Sequence, residues 1–312
     1  NVTLSDKGNI SAPLVDTHGG AGNTYGGDGG NVNMTTTMTG DIVATGIDTS
    51  GGNGGSYGGS GGVATLTTST GNITATTIDT HGGNGASWGD DGGNVSLTTT
   101  LGGDVSIGSA NVAGGTGSSN GAAGDITIDA YGNISFNQIG DVASTTNITV
   151  SSTVGDIAIG ATGNMTIDGG SFSASSGSTI LSAIGTLSLA SNFGVTGTLG
   201  LSGSRVIARS PITASASQDI VVIAGALDLS GGAKLDAGVD LGVLAGTVNL
   251  ASGSMLKAGN EIEIVANSLN LNLSQIEATA SAVTIAVTKS ITLDDGSYIK
   301  AGTDVKLSLN GA

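Results

Sequence analysis

The C-terminal third alternates short apolar runs with polar residues at a regular period. Its units open 21 or 22 residues apart, at Ile220, Leu241, Ile262, Val283 and Val305. Within a unit, alternating pairs such as Ile220/Val222 and Leu227/Leu229 are separated by Gly, Asn or Ser. Alternation with a period of two is typical of strands with one buried face, and no helical period competes with it. The pattern predicts three short β-strands per unit.

Charged residues support the same register. One charged residue follows the last apolar position of four successive units, and its sign alternates: Asp236, Lys257, Glu277, Lys300. Neighbouring strands favour opposite charges directly across from each other. The alternation therefore predicts that successive units stack in parallel.

The N-terminal third repeats every 31 residues or so and carries a Gly-[Asn/Asp]-apolar motif. Its copies begin at Gly8, Gly40, Gly71, Gly103, Gly132, Gly155 and Gly163. Glycine followed by Asn or Asp is typical of a turn that needs positive φ. We expect a turn of this kind before the following strand in each unit.

The extra length of these units lies in glycine-rich insertions. They begin at Asp16, Asp48 and Asp79, contain Tyr25, Tyr57 and Trp88 at matching places, and have a degenerate fourth copy at 111–124. We expect extended glycine segments from successive loops to pack as a layer. The aligned aromatics either hold this layer together, which we prefer, or form a strip on which carbohydrate stacks.

Together these patterns predict an all-β, single-stack parallel β-helix (β-solenoid), expected to be right-handed, with about 12 turns of three short strands. We divide it into residues 1–124 with glycine-rich loop insertions, 125–219 with irregular turns, and 220–312 with regular 21-residue turns, all in one continuous domain.

Composition fits this fold and excludes several partners. The chain has 57 Gly, no Cys and only 3% aromatic residues, so a core of large side chains is excluded. A solenoid interior needs only a narrow column of Val, Ile, Leu and Ala. The net charge of −16 argues against nucleic acid and anionic membranes as partners. No apolar stretch is long enough to insert in a membrane as a helix.

Units such as Ile220–Asp240 and Leu241–Glu261, with turns such as Gly71–Thr74, resemble the repeats of filamentous-haemagglutinin-like surface proteins. The resemblance implies a right-handed β-helix in a secreted bacterial adhesin, located outside the cell or at its surface. The Asn-Pro-Asn motifs of that family's secretion domain and an Arg-Gly-Asp tripeptide are absent. The resemblance therefore implies the fold more firmly than the export route or a receptor.

Candidate chemistry is sparse, and we expect no catalytic residue, no enzyme activity and no cofactor. The first 200 residues contain one Lys, no Arg and no Glu. The aspartates that open the insertions precede Thr and are expected to cap turns. His18 and His81 are expected to be solvated and too far apart to share a metal. Calcium is the one metal considered, with weak candidates at Asp28, Asp90 and Asp91.

Hydroxyl side chains align on three units and form a candidate surface ladder: Thr35, Thr37, Thr67, Ser69, Thr98, Thr100. Such an array suggests ice binding as one hypothesis, although Thr is also common on the faces of β-strands in general. The function expected first is an extracellular structural or adhesive solenoid that assembles end to end or continues a longer chain. The alternative is a surface module that binds calcium or host and matrix glycans through its loop face.

Overall fold

The computed structural model describes residues 1–139, 148–152, 156–161, 164–167, 171–294 and 296–309. All of its regular structure in these ranges is β, and the strands pair in parallel, so the chain is a β-solenoid as predicted. Two compact units are present, which we call unit 1 (residues 1–160) and unit 2 (residues 161–312). None of the described residues forms a helix that could cross a membrane.

Unit 1 alternates strands of five residues with strands of six or seven over most of its length. Its strands are β1 (Val2–Asp6), β2 (Ile10–Asp16), β3 (Val32–Thr36), β4 (Ile42–Asp48), β5 (Ala64–Thr68), β6 (Ile73–Asp79), β7 (Val95–Thr99), β8 (Val105–Asn111), β9 (Ile126–Ala130), β10 (Ile134–Ile139), β11 (Ile148–Ser152) and β12 (Ile157–Ala161).

Each strand from β1 to β10 pairs with the strand two places further along the chain. One ladder runs β1–β3–β5–β7–β9–β11 and the other runs β2–β4–β6–β8–β10–β12. The paired inward positions form aliphatic columns, such as Ile42, Ile73 and Val105, and these side chains are fully buried. Stacking one turn on the next buries a face that a single turn would leave in water.

Unit 2 has longer strands that alternate with short ones in its regular part. Its strands are β13 (Met165–Ile167), β14 (Ser171–Leu189), β15 (Phe193–Ala208), β16 (Thr213–Ala216), β17 (Ile220–Leu229), β18 (Lys234–Ala237), β19 (Leu241–Ala251), β20 (Met255–Ala258), β21 (Ile262–Asn272), β22 (Gln275–Ala278), β23 (Val283–Leu293), β24 (Tyr298–Lys300) and β25 (Val305–Leu309).

The regular repeat of unit 2 contains two strands, whereas the sequence predicted three. The first two predicted runs both lie in β17, because the backbone ladder continues on either side of Gly225. The buried positions nevertheless change phase there, from Ile220 and Val222 before the glycine to Leu227 and Leu229 after it. One long strand therefore presents two inward-facing runs.

The alternating charge ladder predicted for unit 2 is confirmed. Asp236 pairs with Lys257, Lys257 with Glu277, and Glu277 with Lys300 on β18, β20, β22 and β24. The Lys300 ammonium lies 2.8 Å from the Glu277 carboxylate. This hydrogen bond lowers the pKa of Glu277 and raises the pKa of Lys300.

The sequence predicted positive φ at the turn glycines, and this prediction is wrong at most of the described positions. Among Gly8, Gly40, Gly71 and Gly103, only Gly103 has positive φ, at 106°. A Cβ on Gly40 would lie 1.8 Å from the carbonyl oxygen of Gly8, and one on Gly71 would lie 2.0 Å from that of Gly40. Close stacking of turns, rather than turn conformation, therefore requires glycine at Gly40 and Gly71. Gly155 and Gly163 lie outside the described residues.

Candidate functional site

The glycine-rich loops of unit 1 are closed at their base by a threonine. The Thr49 hydroxyl donates to the carbonyl of Gly62 at 2.8 Å, and the amide of Gly62 donates to the carbonyl of Thr49 at 2.6 Å. The same pair of bonds joins Thr80 to Gly93. Thr49 and Thr80 are fully buried. The first three insertions are therefore each anchored to the solenoid by an internal clasp, formed by Thr17, Thr49 and Thr80.

Beyond the clasp, the outgoing and returning glycine segments bond to each other and to the neighbouring loops. Within one loop the amide of Gly59 donates to the carbonyl of Gly52, and across loops Gly52 donates to Gly27 and Gly83 donates to Gly59, at 2.8–2.9 Å. These bonds satisfy backbone groups in segments that have no strand pairing. The loops therefore form the predicted glycine layer.

The close approach of these segments leaves no room for side chains. A Cβ on Gly58 would lie 1.8 Å from the carbonyl oxygen of Gly83, and one on Gly51 would lie 1.9 Å from that of Gly59. Gly51, Gly52, Gly58 and Gly59 are all buried. The layer is thus a packed interior made of backbone.

Asn and Asp side chains connect the turns by accepting amide hydrogens from the next turn. Asn9 accepts from Asp41, Asp41 from Asn72, and Asn72 from Asp104, at 2.7–2.9 Å. A second series near the loop tips runs through Asn53 and Asn84 to Thr116. These side chains supply hydrogen-bond acceptors for backbone amides of the next turn.

The aspartates that open the insertions lie in one column, paired in register in the order Asp16, Asp48, Asp79 and then Asn111. Each carboxylate accepts the amide hydrogen two residues later, as an Asx turn does. The first and third of these aspartates also face an imidazole, because His18 Nδ1 lies 2.5 Å from Asp16 and His81 Nδ1 lies 2.6 Å from Asp79.

These pairs shift the protonation of both partners. The hydrogen bond that His18 donates to Asp16 raises the pKa of His18, and the same bond lowers the pKa of Asp16. At the more buried pair, burial pushes the pKa of Asp79 upward, but its hydrogen bonds to His81 outweigh this and the pKa falls. The bond to Asp79 raises the pKa of His81. The imidazolium form is favoured at both positions.

One group of described residues has ligand atoms close enough for a single cation. Atoms of Asp16, His18 and Asp48 lie within 4.8 Å of one another. From the sequence, a metal at His18 was considered only as one shared with His81. It was not predicted that His18 lies close to the carboxylates of Asp16 and Asp48, which belong to successive turns. Nitrogen and oxygen ligands of this kind suit zinc or manganese more than calcium.

The weak calcium candidates have structural partners of their own. Asp28 accepts the amide hydrogen of Ser60 at 3.0 Å, and Asp91 accepts that of Ala122 at 2.7 Å. Asp90 accepts the amide hydrogen of Asp91. Calcium at Asp28, Asp90 and Asp91 stays a prediction.

The aromatic residues of the loops lie in register at the loop tips. Tyr25 bridges to Tyr57, and Tyr57 bridges to Trp88. The two tyrosine rings stack with centroids 4.9 Å apart and planes inclined by 13°. Tyr25 is 68% exposed and Trp88 is 57% exposed. The two tyrosine rings thus contact each other, as expected if they help to hold the layer together, and Tyr25 and Trp88 also present aromatic surface to solvent.

The candidate hydroxyl ladder is aligned only in part. Thr35, Thr67 and Thr98 pair in register on β3, β5 and β7. The other column, Thr37, Ser69 and Thr100, lies just after the ends of these strands. Sequence reasoning missed the inward threonines between the two columns, such as Thr68, whose buried hydroxyl donates to the carbonyl of Gly71.

Comparisons of the chain with protein-family models, with curated proteins and with solved structures find no match. The resemblance to filamentous-haemagglutinin-like proteins therefore stays a prediction.

The loop clasp was not predicted from the sequence, although a signal was present: Thr17, Thr49 and Thr80 each precede a glycine by 13 residues.

Proposed function

We propose that this chain is a structural or adhesive β-solenoid of an extracellular, cell-surface filament or adhesin, and that it joins further solenoid turns end to end. Three features support the proposal: the repeat architecture, the resemblance of its units to filamentous-haemagglutinin-like repeats, and the strand β25. The further turns belong to a second copy of the chain, to another solenoid with matching turns, or to the continuation of a longer chain.

The observation that carries the proposal is the exposed apolar side of β25. Val305 pairs with Val283, Leu307 with Ile285, and Leu309 with Val287. The three residues of β23 in these pairs are buried, whereas those of β25 are exposed. Another parallel strand laid on β25 would cover these side chains and would pair the free backbone edge of this strand.

Interactions along the stacking direction also favour a structural role. The asparagine and aspartate series of unit 1 and the charge ladder of unit 2 each connect one turn to the next. A filament carries load along its axis, and repeated bonds in that direction resist separation of the turns. This is the property that a surface filament or adhesin stalk requires.

The test is assembly of the 312-residue chain, measured by negative-stain microscopy and analytical ultracentrifugation over a series of concentrations. We expect end-to-end oligomers that Leu307→Lys and Leu309→Lys abolish. Ile184→Lys is the matched control, because Ile184 is also apolar and exposed but does not lie on β25. A chain that stays monomeric at every concentration, or assembly unchanged by the β25 variants, would contradict the proposal.

Glycan binding at the loop tips is a second candidate function, supported by the exposed aromatic series Tyr25, Tyr57 and Trp88. Aromatic faces stack on the apolar faces of sugars, and host or matrix glycans are the partners in question. A glycan-array signal lost in Trp88→Ala but kept in Tyr131→Ala would support it. Tyr131 is the control because it is exposed but lies outside the loops. Equal signals from both variants would exclude it.

A further inference from the structure

One face of unit 2 carries exposed apolar side chains on neighbouring strands. Ile223, Leu244 and Val265 pair in register at outward positions of β17, β19 and β21. Ile223 and Leu244 are each 54% exposed, and Val221, two residues before Ile223, is also exposed. Because strands in a sheet lie about 4.8 Å apart, these side chains are contiguous. We call Val221, Ile223, Leu244 and Val265 the apolar strip.

A depression lies beside the apolar strip, centred on Gly242. In the ladder, Gly242 lies between Val221 and Glu263. A Cβ built on Gly242 would meet no atom within 4 Å, and its φ is not in the left-handed region. Neither backbone conformation nor internal packing therefore requires glycine here. Its effect is to leave an open recess between Val221 and Glu263.

Four acidic residues line this recess: Asp219, Asp240, Glu261 and Glu263. Asp219 and Asp240 each accept an amide hydrogen from the next turn, at 3.1 and 3.0 Å. The carboxylates of Glu261 and Glu263 have no hydrogen-bond or ion-pair partner among the described residues. The ion pairs formed within the described ranges include none of the four. No base of the described residues therefore lies within ion-pair distance of these four carboxylates.

Four of the seven bases of unit 2 are paired with carboxylates outside this group. Arg205, Lys234, Lys257 and Lys300 form ion pairs with other carboxylates. The row of paired residues that contains Gly242 also contains Lys306, which Thr284 separates from Glu263. Charge and apolar surface therefore stand side by side on this face, and no other part of the described chain covers them.

We propose that the apolar strip and the acidic recess together form a docking surface for a cationic, apolar segment of another protein. The strip would be covered by aliphatic side chains of the partner, and its Lys or Arg side chains would reach the four carboxylates. A second copy of this chain fits poorly because it would bring the same acidic surface and a net charge of −16. This surface is separate from β25, so it does not depend on end-to-end joining.

The test is fluorescence anisotropy of a labelled peptide of alternating lysine and valine, added to the full chain. We expect binding that weakens at least roughly tenfold in Ile223→Ser/Leu244→Ser, because the lost apolar contacts are worth more than one kcal/mol. Gly242→Val fills the recess, and its Cβ would meet no atom of the chain within 4 Å, so we expect a similar loss. Both changes are at outward positions, and far-UV circular dichroism checks that the fold is kept.

Charge is tested separately, because an acidic chain attracts any cationic peptide. We expect Glu261→Gln/Glu263→Gln to weaken binding at least threefold or so. Asp28→Asn/Asp125→Asn removes the same charge at exposed positions of unit 1 and should change binding by less than about twofold. Peptides with glutamate in place of lysine, or serine in place of valine, should not bind. The inference is overturned if the lysine–valine peptide does not bind, if the control variant loses as much affinity as Glu261→Gln/Glu263→Gln, or if variants of the strip and recess bind normally.

Discussion

Units 1 and 2 stack their turns by the same parallel pairing but fill the space around them differently. Unit 1 adds a layer made of backbone, in which buried glycines such as Gly52 and Gly58 contact carbonyl groups of neighbouring loops. Unit 2 has no such loops among its described residues; aliphatic columns such as Leu229, Leu250 and Leu271 fill its interior, and a charge ladder runs outside them.

The difference shows two ways for a chain poor in aromatics to build an interior. Aliphatic columns remove apolar surface from water, and each fully buried side chain contributes roughly 1.5–3 kcal/mol to the stability of the fold. A glycine layer gains little from this effect and depends on hydrogen bonds and close contacts between backbones. We therefore expect the stability of unit 1 to fall when side-chain atoms are added to the glycine layer. The stability of unit 2 should fall when its buried aliphatic side chains are shortened.

The largest expected effect comes from adding one methyl group to the glycine layer. Gly58→Ala places a Cβ 1.8 Å from the carbonyl oxygen of Gly83, so we expect a loss of about 3 kcal/mol or more in the stability of unit 1. Urea unfolding followed by the fluorescence of Trp88, the single tryptophan, reports on this unit.

Two alanine variants serve as matched controls for that change. A Cβ on Gly20 in the loops, or on Gly242 in unit 2, would meet no atom within 4 Å. Neither Gly20→Ala nor Gly242→Ala should change stability by more than about 0.5 kcal/mol. Equal losses in all three variants would show that glycine acts through chain flexibility rather than through packing.

The loop clasp is expected to have the next largest effect. Thr80→Val keeps the shape of a buried side chain but removes the hydroxyl that donates to Gly93, so about 1–2 kcal/mol of stability should be lost. Thr74→Val, at an exposed position of β6, is the control and should be near neutral. Hydrogen exchange of residues 80–93 should accelerate in the first variant and not in the second.

The charge ladder of unit 2 should contribute less. Lys257→Glu would set like charges beside both Asp236 and Glu277, and we expect a loss of about 1 kcal/mol that salt reduces. Lys289→Glu makes the same change of charge at an exposed site away from the ladder. If both variants unfold at the same urea concentration, the ladder contributes nothing to stability.

The smallest effect concerns pH and the histidines of unit 1. The pKa of His81 is raised in the folded chain, so its contribution is present below the unfolded pKa of about 6.5 and is lost as pH rises through the folded value. The pKa of Asp79 is lowered, so its contribution is present above about pH 4 and is lost as pH falls through the folded value.

Unit 1 should therefore be most stable between about pH 4 and pH 6.5. An NMR titration should give pKa values for His18 and His81 above that of a free histidine, and Asp79→Asn should lower the value of His81 alone. Unshifted values in the unmodified chain would show that these pairs do not form in solution.

The sequence was sufficient for the features that depend on stacking of equivalent positions. The steps between Ile220, Leu241 and Ile262 predicted which residues pair across neighbouring turns. The alternating charges from Asp236 to Lys300 predicted that these turns stack in parallel. These predictions succeeded because stacking equivalent residues is the only way for a short repeat to bury its apolar face.

Features that depend on contacts between different parts of a repeat could not be read from periodicity. The clasp joins Thr80 to a glycine 13 residues later, and the role of Gly40 depends on how closely Gly8 of the preceding turn approaches it. The recess at Gly242 was missed for a related reason: its significance lies in the absence of nearby atoms. Composition alone gives no measure of such distances.

The most direct test of the two kinds of interior is hydrogen exchange of the 312-residue chain, followed by mass spectrometry. The amides of Gly51, Gly52, Gly58 and Gly59 donate to carbonyl groups in or beside the layer. We therefore expect peptides covering residues 49–62 to exchange as slowly as those of β4 and β6. Exchange of these loop amides at the rate of an unprotected chain, while the strands stay protected, would contradict a glycine layer that forms part of the packed interior.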